Sequence, residues 1–228
     1  FIGNLACIEQ PVRLMTHLAC ADELDNPLTT EQVRRFGKAL GAFDGDVSIA
    51  NSAGVLSWPQ SLEPSPELNY RGDNWIRPGV ALYGASPIAG KKARELGLKP
   101  AMTFESRLMA VKTIPKGGFV GYGSTWQARR DTAIGVVAVG YGDGYPRHMP
   151  EGTPVLINDR RAALIGRVSM DMITVDLTDI PVARVGDRVL LWGEQLPIEE
   201  IASRAGTISY ELMCGLTERV ERHYTDDG

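Results

Sequence analysis

The distribution of apolar residues changes near Leu98, and this change constrains the fold more than any other feature of the chain. Before it, strand patterns at residues 12–17 and 46–50 alternate with a helix pattern, as they do in β/α barrels. After it, glycine-punctuated strand patterns follow one another with little helix. We therefore predict half of a TIM-like (β/α)8 barrel, of α/β class, in residues 1–98 and a mainly β domain in residues 99–228.

Within the first domain, a helix is predicted to begin at Thr29, because Thr29 and Gln32 have the spacing of a capping box. Its apolar stripe has three- and four-residue spacing and comprises Val33, Phe36, Leu40 and Phe43. Residues 59–72 are rich in Pro, Ser and Asn, which predicts an irregular surface loop. Residues 75–83 return to an extended apolar pattern, which an Arg-Pro-Gly sequence interrupts.

The second domain contains a hairpin signal. Residues 155–157 and 162–165 flank the turn-forming pair Asn158 and Asp159, so we predict two antiparallel strands joined there. Further strands are predicted at residues 134–140, 172–177 and 188–192. A helix is predicted at residues 197–205, with Ile198, Ile201, Ala202 and Ala205 on one face.

Composition excludes several classes of function. The formal net charge is −4, which gives no basic surface for nucleic acid or for an anionic membrane. No apolar run approaches the roughly 20 residues that span a bilayer. The three cysteines are widely spaced, which argues against a disulfide framework or a zinc site and suits a reducing compartment. The three histidines are not paired at ligand spacing, so we expect no metal, and we expect a cytoplasmic protein.

Two polar sites stand where predicted strands end. Ser52 directly follows a strand, and Gly79 follows an Arg-Pro pair. A hydroxyl and exposed backbone N–H groups at such positions are how β/α barrels bind phosphate. Ordinary turns at Ser52 and at Gly79 would explain the same residues.

Two Gly-Tyr-Gly units place Tyr122 and Tyr141 between glycines, which lets each ring reach away from the core. A phenol ordinarily titrates at about pH 10, so a role in proton transfer requires cationic or hydrogen-bonding neighbours. Arg167 and Asp171 bracket the start of an apolar strand. A packed tyrosine at a bulge and a surface ion pair are the alternative explanations for these units.

Taken together, these units form an ordered series. The series is MTHLACADE (15–23), NSA (51–53), WIRPGVALYG (75–84), VGYG (120–123), GYGDGYPR (140–147), GRVSMD (166–171) and ISYE (208–211). In wording and order it resembles the alanine racemase family over nearly the whole chain. The resemblance implies a pyridoxal 5'-phosphate (PLP) enzyme that interconverts L- and D-alanine. It also implies the C-terminal half of a PLP-binding barrel followed by a C-terminal β domain, in a homodimer with sites shared between subunits.

The resemblance also implies roles for individual residues. Tyr122 matches the tyrosine that is one of two catalytic acid/base groups, and it reaches the cofactor of the neighbouring subunit. His17 matches the histidine that links this tyrosine to an arginine. Arg77 matches that arginine, which donates a hydrogen bond to the pyridine nitrogen of the cofactor. D-alanine made in this way is a peptidoglycan precursor.

Other positions match the phosphate and substrate sites of the family. The cofactor phosphate is bound by positions that match Ser52, Gly79, Val80 and Tyr210. Met170 matches the residue whose backbone N–H meets the substrate carboxylate, and Asp171 is expected to orient the same loop. A narrow corridor that admits substrate is lined by positions that match Asp22, Tyr141, Arg147, Arg167 and Ile208, together with Tyr210.

One departure from the family qualifies the implied activity. No segment of the chain spells the Lys-Ala-(Asn/Asp)-Ala-Tyr-Gly-His-Gly context of the Schiff-base lysine, the second base of the two-base mechanism. We therefore expect this chain to lie beside an N-terminal segment that supplies the lysine. The alternatives are a broad-specificity amino-acid racemase, a decarboxylase of basic amino acids, a non-catalytic PLP-binding module, or an inactive PLP-binding fragment. Cys214 lies in no decarboxylase-like setting.

Overall fold

The computed structural model describes residues 12–41, 43–66 and 68–225. The chain divides into two compact units, Phe1–Lys99 and Pro100–Gly228. Within the described residues, no helix has the length and apolar character that crossing a membrane requires.

The first unit combines short parallel strands with helices. Its elements are β1 (Leu14–Met15), α1 (Leu28–Leu40), β2 (Val47–Ser48), α2 (Ser52–Ser57) and three 3-10 helices at Pro59–Ser61, Gly79–Tyr83 and Ala93–Leu96. Strand β1 pairs with β2 in parallel, and helix α1 lies between them in the sequence. Isolated parallel bridges join Val47 to Asn74 and Asn51 to Arg77. Three successive extended segments therefore run in the same direction, which is the arrangement that a β/α connection produces.

The predicted capping box at Thr29 is wrong. Helix α1 begins at Leu28, and the backbone N–H of Leu28 donates to Asn26 Oδ1. The N-cap is Pro27, which offers no side-chain hydrogen bond, so Thr29 lies inside the first turn, where it is fully buried. Its hydroxyl has no hydrogen-bond partner among the described residues. The side chain of Gln32 instead reaches the loop that follows β1.

Two further expectations for the first unit need correction. Residues 59–72 are irregular after a short 3-10 helix and partly exposed, but they are not wholly at the surface, because Leu68 and Tyr70 are buried in the core with Val33 and Ile49. The segment 75–83 is not extended throughout. A 3-10 helix begins at Gly79, directly after the turn at Pro78. Phe43, the last member of the predicted helical stripe, lies beyond the end of α1 but still packs against this core.

A polar cluster fixes the third extended segment against the second. The Asp46 carboxylate accepts hydrogen bonds from the Asp73 backbone N–H at 3.0 Å, the Trp75 indole at 3.0 Å and Arg13 Nε at 3.1 Å. These donors, the Asp73 N–H first among them, lower the pKa of Asp46 below its ordinary value. The Arg13 guanidinium also lies 4.4 Å from the centre of a Trp75 ring. The cluster therefore fixes the chain at Trp75, two residues before Arg77, to Asp46 at the start of the second extended segment.

The second unit is built around a closed antiparallel β-barrel. Its strands are β3 (Phe104–Ile114), β4 (Phe119–Val120), β5 (Trp126–Gln127), β6 (Thr132–Val137), β7 (Pro154–Ile157), β8 (Arg160–Ile165), β9 (Ile173–Asp176) and β10 (Arg188–Trp192). The barrel order is β10-β3-β6-β9-β8-β7, and β4 pairs with β5 as a separate ribbon. Two helices, α3 (Ile198–Ala205) and α4 (Ser209–Cys214), follow the last strand. Closure leaves the barrel without an unpaired edge.

Most local predictions for the second unit are confirmed. Strands β7 and β8 form the predicted hairpin, and both turn residues have positive φ, 49° at Asn158 and 60° at Asp159. Strand β10 and helix α3 fall where the sequence predicts them. The predicted strand at 134–140 is displaced, because β6 ends at Val137 and the chain then leaves the sheet.

The hairpin turn gives a stability prediction. A left-handed backbone costs a residue with a Cβ more than it costs glycine, and alanine lacks the short polar side chain that makes aspartate tolerant of it. We expect Asp159→Gly to be more stable than Asp159→Ala by about 1 kcal/mol in chemical denaturation. Both substitutions remove the same exposed charge, so each serves as the control for the other. Equal stabilities of the two variants would contradict the left-handed conformation.

Candidate functional site

Arg77 lies at the end of the third extended segment of the first unit and binds the ends of the other two. Its backbone N–H donates to Ala50 O at 2.9 Å. Its guanidinium donates through Nη2 to Thr16 O at 2.8 Å and to Ile49 O at 3.3 Å. Nη1 donates to the Ser48 hydroxyl, which in turn donates to a backbone carbonyl oxygen at 2.6 Å. The Arg77 side chain is therefore fixed by the ends of two other chain segments.

The structure brings His17 and Arg77 together, as the resemblance implies. His17 Nδ1 lies 3.5 Å from Arg77 Nη2, a long contact at the limit of hydrogen bonding. The two Nη2 protons are shared among Thr16 O, Ile49 O and His17 Nδ1. Because arginine has only donors, this contact favours the neutral imidazole tautomer with Nδ1 as acceptor and the proton on Nε2. Arg77 Nε–H and one Nη1 proton have no acceptor within the part of the chain that the structure describes.

Ser52, Gly79 and Val80 form a small cradle suited to an anion. Ser52 Oγ accepts from Ala81 N at 3.3 Å and donates to Pro78 O. Gly79 has a φ of +37°, and a Cβ added there would point at Ser52 Oγ from 3.5 Å. The backbone N–H groups of Gly79 and Val80 have no acceptor among the described residues. Two open donors beside a hydroxyl match the chemistry of phosphate binding.

Asp22 lies elsewhere on the first unit. It lines a surface depression of about 620 Å³ whose other lining residues include Glu23, Asp25 and Lys91. Neither Arg77 nor the cradle at Gly79 contributes to this depression.

In the second unit, the loop between β4 and β5 presents Tyr122, whose side chain is exposed. Gly121 and Gly166 both have positive φ, and the two backbones cross in close contact at these residues. A Cβ on Gly121 would lie 3.0 Å from the backbone nitrogen of Arg167, and a Cβ on Gly166 would lie 2.8 Å from Val120 O. The guanidinium of Arg167 passes beside Gly123, so the structure brings a cation to the Tyr122 loop.

The second Gly-Tyr-Gly loop is joined to the loop of Met170. The backbone N–H of Tyr141 donates to Ser169 O at 3.0 Å, and that of Gly142 donates to Met170 O at 2.8 Å. Met170 is half exposed, and its own N–H has no acceptor in the described chain. By contrast, Tyr145 is buried, and burial raises the pKa of its hydroxyl. Tyr141 thus remains the accessible phenol of this loop.

Arg219 is a residue of this cluster that the sequence did not identify. Its Nη2 donates to Asp171 Oδ1 at 2.6 Å, and its Nε lies 3.1 Å from Asp143 Oδ1. Asp171 and Asp143 raise the pKa of the Arg219 guanidinium above its ordinary value. The guanidinium also packs against Gly142, where a Cβ would overlap it. Arg219 therefore links the two loops, and nothing in its local sequence signals that role.

The remaining candidate residues are exposed on the second unit. Ile208 and Tyr210 lie at the start of α4 with large exposed surfaces. Arg147 is exposed and makes no side-chain hydrogen bond with a described residue. Among residues 12–41, 43–66 and 68–225, no group of three or more His, Cys, Asp or Glu side chains could hold a metal ion.

The Arg219 contacts predict how the two loops respond to substitution. We expect Arg219→Met to increase amide hydrogen exchange at residues 141–143 and 169–171 by roughly two- to fivefold, as the loss of exposed ion pairs would. The measurement is exchange detected by NMR or mass spectrometry. Arg222→Met is the matched control, because Arg222 has no side-chain bond to a described residue. Equal amide exchange in the two variants would contradict the conclusion that Arg219 links the two loops.

The chain is similar to alanine racemases along most of its length. The family model "Alanine racemase, C-terminal domain" matches residues 101–224, and "Alanine racemase, N-terminal domain" matches residues 4–87. The alanine racemase of Shewanella amazonensis is 54% identical over 213 residues, 93% of this chain and 56% of its own length. That of Vibrio cholerae is 50% identical over 222 residues, 97% of this chain and 58% of its own length.

Solved structures agree with these relatives. The biosynthetic alanine racemase of Pseudomonas aeruginosa superposes with a TM-score of 0.85 at 49% identity, over 93% of this chain and 57% of that one. The alanine racemase of Bartonella henselae, solved with covalently bound pyridoxal phosphate, has a TM-score of 0.78 at 28% identity, over 93% of this chain and 56% of that one.

The chain thus spans less than two thirds of the length of the relatives that it matches. Within that span, the C-terminal family model covers more than half of the residues. The chain belongs to the alanine racemase family.

Proposed function

We propose that the protein containing this chain interconverts L- and D-alanine with pyridoxal 5'-phosphate as cofactor. The observation that supports this proposal most is the contact between Arg77 and His17. The same unit contains Ser52, Gly79 and Val80, whose arrangement is suited to binding a phosphate. We also propose that residues 1–98 are the C-terminal part of a (β/α)8 barrel. In this proposal, residues 99–228 are the domain that carries the acid/base tyrosine.

The residues fit the two ends of the proposed cofactor. A phosphate monoester needs several hydrogen-bond donors, and the open N–H groups of Gly79 and Val80 supply two. Ser52 adds a hydroxyl beside them. The pyridine nitrogen is an acceptor, and Arg77 retains unused donors for it. Bound pyridoxal phosphate would withdraw electrons from the substrate Cα and so make its proton removable.

The choice of arginine at this position limits the chemistry. An arginine side chain has only donors, so Arg77 would donate to the pyridine nitrogen and would leave that nitrogen without a proton of its own. Electron withdrawal at the substrate is then weaker than a protonated ring would give. This favours rapid return of the proton over side reactions such as transamination.

Proton transfer is assigned to Tyr122 on one face of the substrate. The basic form is a phenolate, which a neighbouring cation stabilises, and Arg167 supplies such a charge beside the Tyr122 loop. The open N–H of Met170 would bind the substrate carboxylate. The opposite face requires the cofactor-linked lysine of the family, for which this sequence has no matching context. The corridor would comprise Asp22, Tyr141, Arg147, Arg167, Ile208 and Tyr210.

The first test concerns the phenol. We expect Tyr122→Phe in the native protein loaded with pyridoxal phosphate to lower kcat for alanine racemisation by about 10²- to 10⁴-fold, the range for loss of an acid/base group. Because the other base remains, exchange of the Cα proton with deuterated solvent should continue for one alanine enantiomer.

Tyr224→Phe makes the same chemical change at a well-exposed position and is the matched control. Retained racemisation in Tyr122→Phe would refute the proposed role. So would loss of exchange from both enantiomers in equal measure.

The second test concerns shared sites. We propose a homodimer in which Tyr122 of one subunit serves the cofactor held by Arg77 of the other. Tyr122→Phe and Arg77→Gln, each inactive alone, should then complement when co-expressed. Random pairing in a two-fold dimer would give about a quarter of the wild-type sites. If each site used residues of one subunit, no mixed dimer would contain an intact site and activity would stay absent.

A further inference from the structure

Gln32 is attached to the loop that carries His17 by three hydrogen bonds. Its Nε2 donates to Thr16 Oγ1 at 3.3 Å and to the backbone oxygen of His17. Its Oε1 accepts from Ala19 N at 3.0 Å. Both halves of the side-chain amide are therefore used, and all three bonds go to residues 16–19.

The helix that carries Gln32 is packed against the core of the first unit. Gln32 lies on α1, whose neighbouring residue Val33 and later residue Leu40 are buried in the core of the first unit. A packed helix gives the side chain a fixed point of attachment, so its three hydrogen bonds can hold the loop in one position.

The loop is also anchored on either side of His17, where Thr16 N donates to Ser48 O at 3.1 Å and Leu18 O accepts from Asn51 Nδ2 at 3.1 Å. At His17 itself, which is exposed, the bond from the glutamine side chain anchors the backbone oxygen of the peptide group.

Arg77 and Gln32 donate hydrogen bonds to adjacent carbonyl groups of this loop. Arg77 donates to Thr16 O at 2.8 Å, and Gln32 donates to the next carbonyl oxygen, that of His17. These two bonds fix the orientation of the backbone from which the imidazole projects. The contact between His17 and Arg77 is long, so a small rotation of that backbone would break it.

The requirement is specific for glutamine. Glutamate has the same length but lacks both donors, and methionine has neither donors nor the acceptor. Asparagine offers the same groups on a shorter stem. Only the glutamine side chain combines this reach with two donors and one acceptor.

We infer that Gln32 is a positioning residue that keeps the His17 imidazole aligned with Arg77. This inference rests on the proposed function, in which His17 connects Arg77 to the acid/base tyrosine. Gln32 contacts neither substrate nor cofactor in this scheme. It acts through the backbone of residues 16–19.

The first arm of the test reads the imidazole directly. Protein labelled with ¹⁵N-histidine is compared as wild type, Gln32→Met and Gln60→Met, with His17 assigned through His17→Gln. With the imidazole neutral, the wild type should show a protonated Nε2 and an unprotonated Nδ1. In Gln32→Met the two nitrogen signals should move towards each other, as the tautomers mix.

Gln60→Met is the matched control, since Gln60 lies in the same unit and has no side-chain bond to a described residue. It should keep the wild-type spectrum. Gln32→Glu retains the shape and the acceptor but lacks the donors, so it should change the His17 signals as well. This variant also decides the question if Gln32→Met does not fold.

The second arm is kinetic. Gln32→Met should lower kcat for alanine racemisation by about 10- to 100-fold, with KM for alanine nearly unchanged, because alignment is lost rather than substrate binding. Gln60→Met should change neither constant. A merely structural defect would instead lower the amount of active enzyme in proportion to the folded fraction, which thermal unfolding measures.

The two arms separate the inference from the proposed function. If the wild-type protein does not racemise alanine, the proposed function fails, and the His17 spectra still decide whether Gln32 positions the imidazole. A folded Gln32→Met or Gln32→Glu variant with an unchanged His17 spectrum would overturn the inference, whatever the kinetic result.

Discussion

The arrangement of the first unit depends on the hydrogen bonds of one guanidinium. Parallel strands leave carbonyl groups without partners at their carboxyl ends, and Arg77 satisfies two of these, Thr16 O and Ile49 O. Neighbouring donors on a planar, rigid group can satisfy both at once, whereas a lysine would offer a point charge on a flexible stem. The same bonds fix the direction of the remaining Arg77 donors. The proposed contact with a pyridine nitrogen therefore depends on strand ends that lie far apart in the sequence.

The second unit holds its candidate residues by a different constraint, the close approach of backbones. A Cβ on Gly140 would lie 2.3 Å from Met170 O, and the crossing of Gly121 with Gly166 is nearly as tight. The glycines of the two Gly-Tyr-Gly units therefore have a packing role as well as a conformational one. They allow each tyrosine loop to contact the 166–171 segment through main-chain atoms, which no larger residue would permit without displacement. Tyr122 and Met170 are consequently positioned by backbone geometry rather than by contacts of their own side chains.

How much the sequence predicts follows from the range of the interactions involved. The hairpin at Asn158 and the helix α3 were predictable because turn chemistry and apolar periodicity act within a few residues. The capping box at Thr29 failed because helix α1 begins at Leu28, with Pro27 as its N-cap, and because Gln32 bonds instead to residues 16–19. Arg219 was missed because its partner Asp171 is 48 residues earlier in the chain. Motif resemblance located Arg77, His17 and Ser52, but the residues that hold them in place emerge only from contacts between distant segments.

The cations among the candidate residues of each unit are arginines, whose charge does not respond to pH. Arg77, Arg167 and Arg219 stay protonated throughout the range in which a protein is folded, so the positive field beside each loop is constant. Lysines in the same places could release protons when desolvated and would add their own titrations. In the proposed function, proton transfer is then left to the Tyr122 phenol, and His17 is the group that would connect it to Arg77. A guanidinium that keeps its charge also keeps the donors with which Arg77 binds Thr16 O and Ile49 O, so the position of Arg77 does not depend on pH.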